Sequence, residues 1–211
     1  STYEPPTVVQ DLSSDMPFAD YLLQWLDIVK VRVKGTTYAS YEGMVKSTIE
    51  PYFRKTGCTL RGLEARHIQQ FYSEKLKTVK PNSVIHYHAI IHQALKYALK
   101  TDLVSQNVAV KVDRPKKNDF QPVFLDANEL QKLFEIIKGT RLELPVLVAA
   151  FYGLRRGEVC GLKWDAIDFE RGTLTIKRTV TEIQVEGKTK IIEQNSAKTK
   201  SSLRTLPLVG S

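Results

Sequence analysis

The stretch Phe151-Tyr-Gly-Leu-Arg-Arg-Gly-Glu-Val-Cys-Gly-Leu-Lys-Trp164 carries an apolar segment into a glycine turn that is followed by two arginines and a glutamate. Gly153 permits a backbone bend that a residue with a Cβ resists. Arg155 would therefore be held at a bend, where its guanidinium can donate two hydrogen bonds to a phosphate. Glu158 follows on the same helical face and could orient Arg155. The stretch predicts an anion-binding site.

The charge of the chain favours a polyanionic partner. Its 31 lysines and arginines exceed the 23 acidic residues, which gives a net charge of +8, and the pI is about 9.4. No run approaches the roughly 18 apolar residues of a membrane span, and the first residues lack a signal-peptide pattern. We therefore expect an intracellular protein.

The two cysteines, Cys58 and Cys160, are far apart and form no metal-binding pattern. We expect two reduced, half-buried thiols, as is usual inside cells. A disulfide and a zinc site are the less favoured alternatives.

Apolar residues at helical spacing predict a small bundle of four helices in the first half of the chain. Thr36 or Thr37 is expected to cap the second helix, which Pro51 should kink or end. Leu76 is expected to face inward from the third helix. The predicted helices cover residues 16–30, 36 or 37 to about 53, 65–77, and 81 onwards, the last capped by Asn82 or Ser83.

A basic segment extends from Lys80 to Lys117, with seven basic residues, two acidic residues and three of the four histidines. A surface of this kind can follow a phosphate backbone. The alternative is an ordinary solvated helix surface. The candidate DNA-binding residues around it are Lys34, Thr36, Thr37, Tyr38, Ser83, His86, His88, His92, Lys96 and Lys100.

Residues 113–123 are predicted to form a linker, since they combine prolines with basic residues and show no periodicity. Arg114, Lys116 and Lys117 are candidates for contacts with a DNA backbone. An ordinary surface connection is the alternative.

The second half of the chain begins with a predicted capping box at Asp126 and Glu129. The segment Leu142–Tyr152 is apolar nearly all round, which predicts a buried central helix. Three strands are then expected: residues 173–183, a pairing segment at 191–192, and residues 203–208, where Pro207 indicates an edge or a strand end.

The residues Gly153-Leu-Arg-Arg-Gly-Glu-Val-Cys-Gly-Leu-Lys-Trp-Asp-Ala-Ile-Asp168, followed by Lys198-Thr-Lys-Ser-Ser-Leu-Arg-Thr-Leu-Pro-Leu208, resemble the tyrosine recombinase (phage integrase) family. These motifs are similar to those of integrases of conjugative transposons and phages of Gram-positive bacteria. The resemblance implies a mainly α fold with a small antiparallel β-sheet. It implies a helical core-binding domain at 1–112, the linker at 113–123, and the first half of an α+β catalytic domain at 124–211.

The resemblance also implies roles for particular residues. Arg155 would hold the scissile phosphate, with Glu158 in support. Lys198, or alternatively Lys200, would be the general acid for the leaving 5′-oxygen. Arg156 is expected to form a surface or structural salt bridge. None of the nine tyrosines matches the family's nucleophile, so the chain is expected to be an incomplete part that binds DNA without cleaving it.

The function implied is that of a site-specific integrase, which integrates or excises a mobile element through a 3′-phosphotyrosyl intermediate. Its partners would be double-stranded core sites with inverted repeats, three further copies of itself when full length, and a directionality factor. No metal or nucleotide cofactor and no membrane partner is implied, and the protein would be cytoplasmic, in a bacterium, at the nucleoid. The alternative is a non-catalytic DNA-binding regulator or accessory protein on the same scaffold. An RNA-binding helical protein has only the charge in its favour.

Overall fold

A computed structural model describes residues 12–118, 121–194 and 203–208. The chain divides into two compact units, Ser1–Phe120 and Gln121–Ser211, which are called the first unit and the second unit below. Within the described ranges, no helix is both long enough and apolar enough to cross a bilayer.

Within the described residues, the first unit contains five α-helices, and the bundle predicted from four helices is present. Neither Thr36 nor Thr37 caps the second helix, which begins at Gly35 after Lys34. Asn82 and Ser83 likewise lie inside the fifth helix, which follows Lys80 and carries Pro81 in its first turn. The helices are α1 (Phe18–Lys30), α2 (Gly35–Met44), α3 (Glu50–Thr56), α4 (Ala65–Lys75) and α5 (Pro81–Lys100).

A π-helical turn, Val45–Ile49, joins α2 to α3 and replaces the single helix expected there. Pro51 lies in the first turn of α3, directly after this wider turn. The wider turn therefore takes up the irregularity before the proline, and the chain continues as helix to Thr56.

Aromatic side chains form much of the core of the first unit. Phe18 and Phe53 are fully or almost fully buried and meet edge to face, with ring centroids 4.9 Å apart. The buried hydroxyl of Tyr21 in α1 donates a 2.6 Å hydrogen bond to the carbonyl oxygen of Ala94 in α5.

The prediction that Leu76 faces inward is wrong, since α4 ends at Lys75 and Leu76 is 40% exposed.

The second unit begins with α6 (Ala127–Ile137), where the predicted capping box is confirmed. Asp126 Oδ1 accepts from the Glu129 amide at 2.8 Å, and Glu129 Oε2 accepts from the Asp126 amide at 2.9 Å. Gly139 follows the helix with a φ of 73°, a left-handed conformation that glycine adopts at low cost.

The apolar helix α7 (Glu143–Tyr152) is not the buried central helix that its composition predicts. Leu144 and Phe151 are 64% and 61% exposed, and no residue of the helix is buried. One side packs through Val148 and Tyr152 on a small core formed by Leu154, Ala166, Leu174 and Ile176. Phe134 of α6 stacks on Phe151, with ring centroids 6.0 Å apart, but within the described residues these contacts leave Leu144 and Phe151 largely exposed.

The predicted strand at 173–183 is two strands that belong to different sheets. Strands β1 (Ile167–Asp168), β2 (Thr173–Ile176) and β5 (Arg204–Pro207) form an antiparallel sheet in the order β1-β2-β5. Strands β3 (Thr179–Val185) and β4 (Lys188–Gln194) form a hairpin, in which Ile191 and Ile192 pair with Glu182 and Thr181. Pro207 ends β5, as predicted.

Candidate functional site

The candidate site lies at the turn between α7 and α8 (Arg156–Cys160), where the predicted bend is confirmed. Gly153 has a φ of 61° and ends α7 in the left-handed conformation. Leu154 is 7% exposed and anchors the turn in the core of the second unit. Arg155 then precedes the first turn of α8 in an extended conformation, with its side chain 76% exposed. A turn that is anchored by the buried Leu154 therefore presents an exposed guanidinium.

Glu158 is the centre of a hydrogen-bond network that fixes this arginine. Its Oε2 accepts from the backbone N–H of Arg155 at 2.9 Å, and its Oε1 accepts from Arg155 Nη1 at 3.2 Å. The expected support of Arg155 by Glu158 is thus present as a contact. Glu158 itself is only 2% exposed, so its carboxylate requires compensation by cations or hydrogen bonds.

Arg204 supplies most of that compensation, although the sequence did not single it out. Its Nη1 and Nη2 donate to Glu158 Oε1 and Oε2 at 3.1 Å and 2.9 Å, a bidentate pair across the second unit. The hydrogen bonds from Arg204 lower the pKa of Glu158 to about 2, and the hydrogen bonds from Arg155 act in the same direction. The carboxylate is therefore ionised throughout the physiological range, and the three side chains together carry one positive charge.

One signal in the sequence could have identified Arg204. Alternation along β5 places Arg204 on the same half-buried face as Leu206, and an arginine on such a face needs an acidic partner. Lys198 and Lys200, the candidates for the general acid, lie outside the described residues. Arg156 is exposed at the start of α8.

Two glycines of the stretch let α8 lie directly on strand β3. A Cβ on Gly157 would meet the carbonyl oxygen of Val180 at 3.2 Å, and one on Gly161 would meet that of Arg178 at 2.8 Å. The second distance is shorter than real Cβ contacts allow, so a side chain at Gly161 would push helix and strand apart. Close backbone packing therefore fixes the helix that carries Glu158.

The candidate DNA-binding residues of the first unit divide into exposed and buried groups. Tyr38 is 5% exposed and His88 is 7% exposed, which contradicts their placement on a DNA-facing surface. The Tyr72 hydroxyl and His88 Nδ1 share a buried 2.9 Å hydrogen bond. The exposed residues are Lys34, His86, Lys96, Lys100, Arg114, Lys116 and Lys117, and Thr36, Thr37, Ser83 and His92 are half-buried.

His86, Gln93, Lys96 and Lys100 share one exposed face of α5, which is called the α5 outer stripe. Tyr41 of α2 contacts Gln93 in the middle of this stripe, with Tyr41 Oη 3.1 Å from Gln93 Oε1. Near the end of α5, the Arg32 guanidinium lies 5.1 Å from the centre of the Tyr97 ring. α2 and the residues just before it thus lie beside α5, on the side that carries the α5 outer stripe.

The first residues of the predicted linker are attached to the first unit. Gln69 of α4 accepts from the Asp113 amide at 3.1 Å and donates to its carbonyl oxygen at 3.5 Å. Val112, just before them, is 7% exposed. Arg114 therefore follows a residue that is fixed to the first unit. Burial and the charge of Arg114 both lower the pKa of His88.

The cysteines are both free thiols. Cys58 is half-buried, as predicted, and burial raises the pKa of its thiol. Cys160 is exposed, which differs from the prediction. Across the described ranges, no group of His, Cys, Asp and Glu side chains could hold a metal ion.

Comparison with known protein families gives two matches. Residues 17–76 match the phage integrase N-terminal SAM-like domain, and residues 123–208 match the phage integrase family. A tyrosine recombinase XerC-like protein from Caldanaerobacter subterraneus subsp. tengcongensis is 28% identical over 210 residues, which cover 93% of this chain and 53% of the relative. The prophage integrase IntR of Escherichia coli K12 is 28% identical over 137 residues, which cover 65% of this chain and 31% of IntR.

Solved structures support the same fold. An integrase of transposon Tn1549, in complex with a circular intermediate DNA, superimposes with a TM-score of 0.68 at 18% identity and covers 92% of this chain and 62% of its own. A lambda integrase tetramer bound to a Holliday junction superimposes with a TM-score of 0.67 at 18% identity, and the match covers 90% of this chain and 55% of the lambda integrase chain. The chain spans about half the length of the tyrosine recombinase XerC-like relative. Because residues 17–76 and 123–208 both match phage integrase families, and the relatives are a tyrosine recombinase XerC-like protein and a prophage integrase, the chain belongs to the phage integrase family of tyrosine recombinases.

Proposed function

We propose that this chain is the part of a site-specific DNA recombinase that binds DNA and contacts the scissile phosphate. The recombinase would integrate or excise a mobile element. The observation that carries the proposal is the Arg155–Glu158 pair: a guanidinium that is 76% exposed, held by a carboxylate that is 3% exposed. A strand exchange of this kind proceeds through a 3′-phosphotyrosyl intermediate, so no metal or nucleotide needs to supply energy.

Arg155 would act on the scissile phosphate. Negative charge accumulates on the non-bridging oxygens as a phosphate is attacked, and a donor that is already in position stabilises that charge without reorganisation. The backbone turn at Gly153 and the contacts with Glu158 hold Arg155 in this way. Lys198 or Lys200 would protonate the leaving 5′-oxygen, a role that suits a lysine whose pKa is lowered by a nearby cationic site.

The first unit of each copy would bind the DNA backbone on one side of the crossover region. Lys34 with Thr36 and Thr37 at the start of α2, and the α5 outer stripe, supply cations and hydrogen-bond donors on one side of the bundle. Ser83, Arg114, Lys116 and Lys117 would add contacts at the helix start and along the linker. Such contacts fix register on the duplex and make affinity depend on salt.

The partners would be core sites with inverted repeats, and four copies of the full-length protein would assemble on two of them. A directionality factor and a cytoplasmic location at the bacterial nucleoid belong to the same proposal. What supports it is membership of the family together with the basic surface of the first unit.

The decisive experiment uses a polypeptide that extends these 211 residues to the length of the relatives. On a nicked suicide core-site duplex, it should form a covalent protein–DNA adduct, and Arg155→Ala should remove most of that adduct. Arg156→Ala is the matched control, because Arg156 is the adjacent exposed arginine, and it should leave adduct formation nearly unchanged. Adduct at the level of the unmodified protein in the Arg155 variant would overturn the role of Arg155.

The 211 residues by themselves should bind duplex DNA and form no adduct, because none of their tyrosines matches the nucleophile. Affinity should fall steeply as salt is raised, with each neutralised phosphate contributing about 0.9 to the slope of log K against log salt. A flat response would exclude the basic surface as the binding element. Absence of adduct from the extended protein would favour a DNA-binding regulator on the same scaffold.

A further inference from the structure

The two arginines on Glu158 share its carboxylate unequally. Arg204 takes both oxygens through Nη1 and Nη2, at 3.1 Å and 2.9 Å. Arg155 makes one side-chain hydrogen bond, at 3.2 Å, and its second contact is through the backbone N–H. The Arg204 side chain is 27% exposed and that of Arg155 is 76% exposed. The buried charge is thus compensated mainly by the arginine with less access to solvent.

We propose that Arg204 is a positioning residue: by occupying both oxygens of Glu158, it leaves the Arg155 guanidinium available to a DNA phosphate. The proposal rests on the proposed function, in which Arg155 contacts that phosphate. Arg204 itself is not required to touch the DNA.

The charge balance of the three side chains gives the reason. With Arg204 present, two guanidiniums and one carboxylate leave one positive charge, carried by the exposed Arg155. Without Arg204, the buried carboxylate would have Arg155 as its remaining arginine, and a buried charge without a partner is costly. The Arg155 guanidinium would then turn inward to form the bidentate pair itself, and the remaining Arg155–Glu158 pair would have no net charge to offer a phosphate.

The backbone around Glu158 and Arg204 holds both residues in place, so the two arginines compete for a fixed carboxylate. Arg204 opens β5, which is paired residue by residue with β2 from Ile176 to Thr173. Glu158 is fixed by its bond to the Arg155 amide and by the close packing of α8 on β3. Since neither partner can move far, the side chain of Arg155 is the mobile member, and the occupancy of Glu158 decides where it points.

The experiment measures binding of the 211-residue chain to a duplex of about two helical turns by fluorescence anisotropy over a series of salt concentrations. Loss of one phosphate contact lowers the slope of log K against log salt by about 1. Arg155→Ala should show this loss. Arg204→Ala should show a loss of the same size, and the double variant Arg155→Ala with Arg204→Ala should show no further one.

Rescue separates positioning from a purely structural role. Adding Glu158→Gln to Arg204→Ala removes the charge that would capture Arg155, so the slope should return toward that of the unmodified chain. Arg204→Lys keeps the charge but can occupy the carboxylate less completely, and it should give an intermediate slope even if Arg204→Ala does not fold. Arg171→Ala is the control for loss of an exposed arginine in the same unit, with a loose 3.8 Å contact to Asp168, and should change nothing.

Each contrary outcome has its own meaning. If Arg155→Ala leaves the slope unchanged, the proposed function fails and the inference fails with it. If Arg155→Ala lowers the slope but neither variant of Arg204 does, Arg204 has no positioning role. If the double variant loses about two contacts, Arg204 binds a phosphate directly and positioning is refuted. Absence of rescue by Glu158→Gln in a folded Arg204→Ala chain also refutes it.

Discussion

The buried histidine His88 predicts a measurable loss of stability of the first unit at acid pH. Its side chain is 7% exposed, and burial first, then the charges of Arg114 and His92, lower its pKa from 6.5 to about 4. Tyr72, its hydrogen-bond partner from α4, is fully buried and offers no negative charge to an imidazolium. The folded state therefore holds His88 neutral, and protonation favours the unfolded chain.

The sign and size follow from proton linkage. Because the folded pKa lies below the unfolded value, the contribution is complete above about pH 6.5 and is lost as the pH falls toward about 4. The difference of about 2.5 between the two pKa values corresponds to about 3 kcal/mol, at about 1.4 kcal/mol for each unit of pKa. By about pH 4.5, most of this, roughly 2 to 3 kcal/mol, should already be lost.

Urea unfolding followed by the fluorescence of Trp25 tests the prediction, since Trp25 is 3% exposed in the first unit. His88→Asn removes the titrating group, and His86→Asn is the matched control, two residues away on the exposed side of α5. Between about pH 7.5 and about pH 4.5, His88→Asn should lose roughly 2 to 3 kcal/mol less stability than the unmodified chain and the His86 variant. Equal losses in all three proteins would refute the reasoning, because the unmodified chain and the His88 variant share every other titrating group.

Two further predictions concern packing. Gly161→Ala should destabilise the second unit by roughly 2 kcal/mol, because its Cβ would lie 2.8 Å from the Arg178 carbonyl oxygen. Gly43→Ala, with no atom within 4 Å of the added Cβ, should instead stabilise the first unit by roughly 0.5 kcal/mol. Calorimetric unfolding of both variants checks this, and equal effects would contradict it. Tyr21→Phe should cost about 1 kcal/mol in urea unfolding, because it removes the buried 2.6 Å hydrogen bond to Ala94, and an unchanged midpoint would show that this bond contributes nothing.

The turn that carries Arg155 could be predicted from the sequence because its causes are local. The bend at Gly153 follows from the conformational freedom of one residue, and the capping box at Asp126 follows from two side chains three residues apart. The helices of the first unit were likewise recognisable from their apolar period. Even His88 lies on the buried stripe of α5, four residues after Val84, so its burial could have been deduced from spacing.

By itself, then, the sequence determined the helices, the bend and the identity of the arginine that the bend presents, because each depends on residues within a few positions of one another. Only the tertiary structure decided which cation compensates Glu158, since Arg204 is 46 positions away in the chain and reaches it through the pairing of β5 with β2. It also decided that α7 leaves apolar side chains exposed and that residues 173–183 divide between two sheets. Composition indicates that a side chain prefers burial, whereas its partner is chosen by the way distant segments pack.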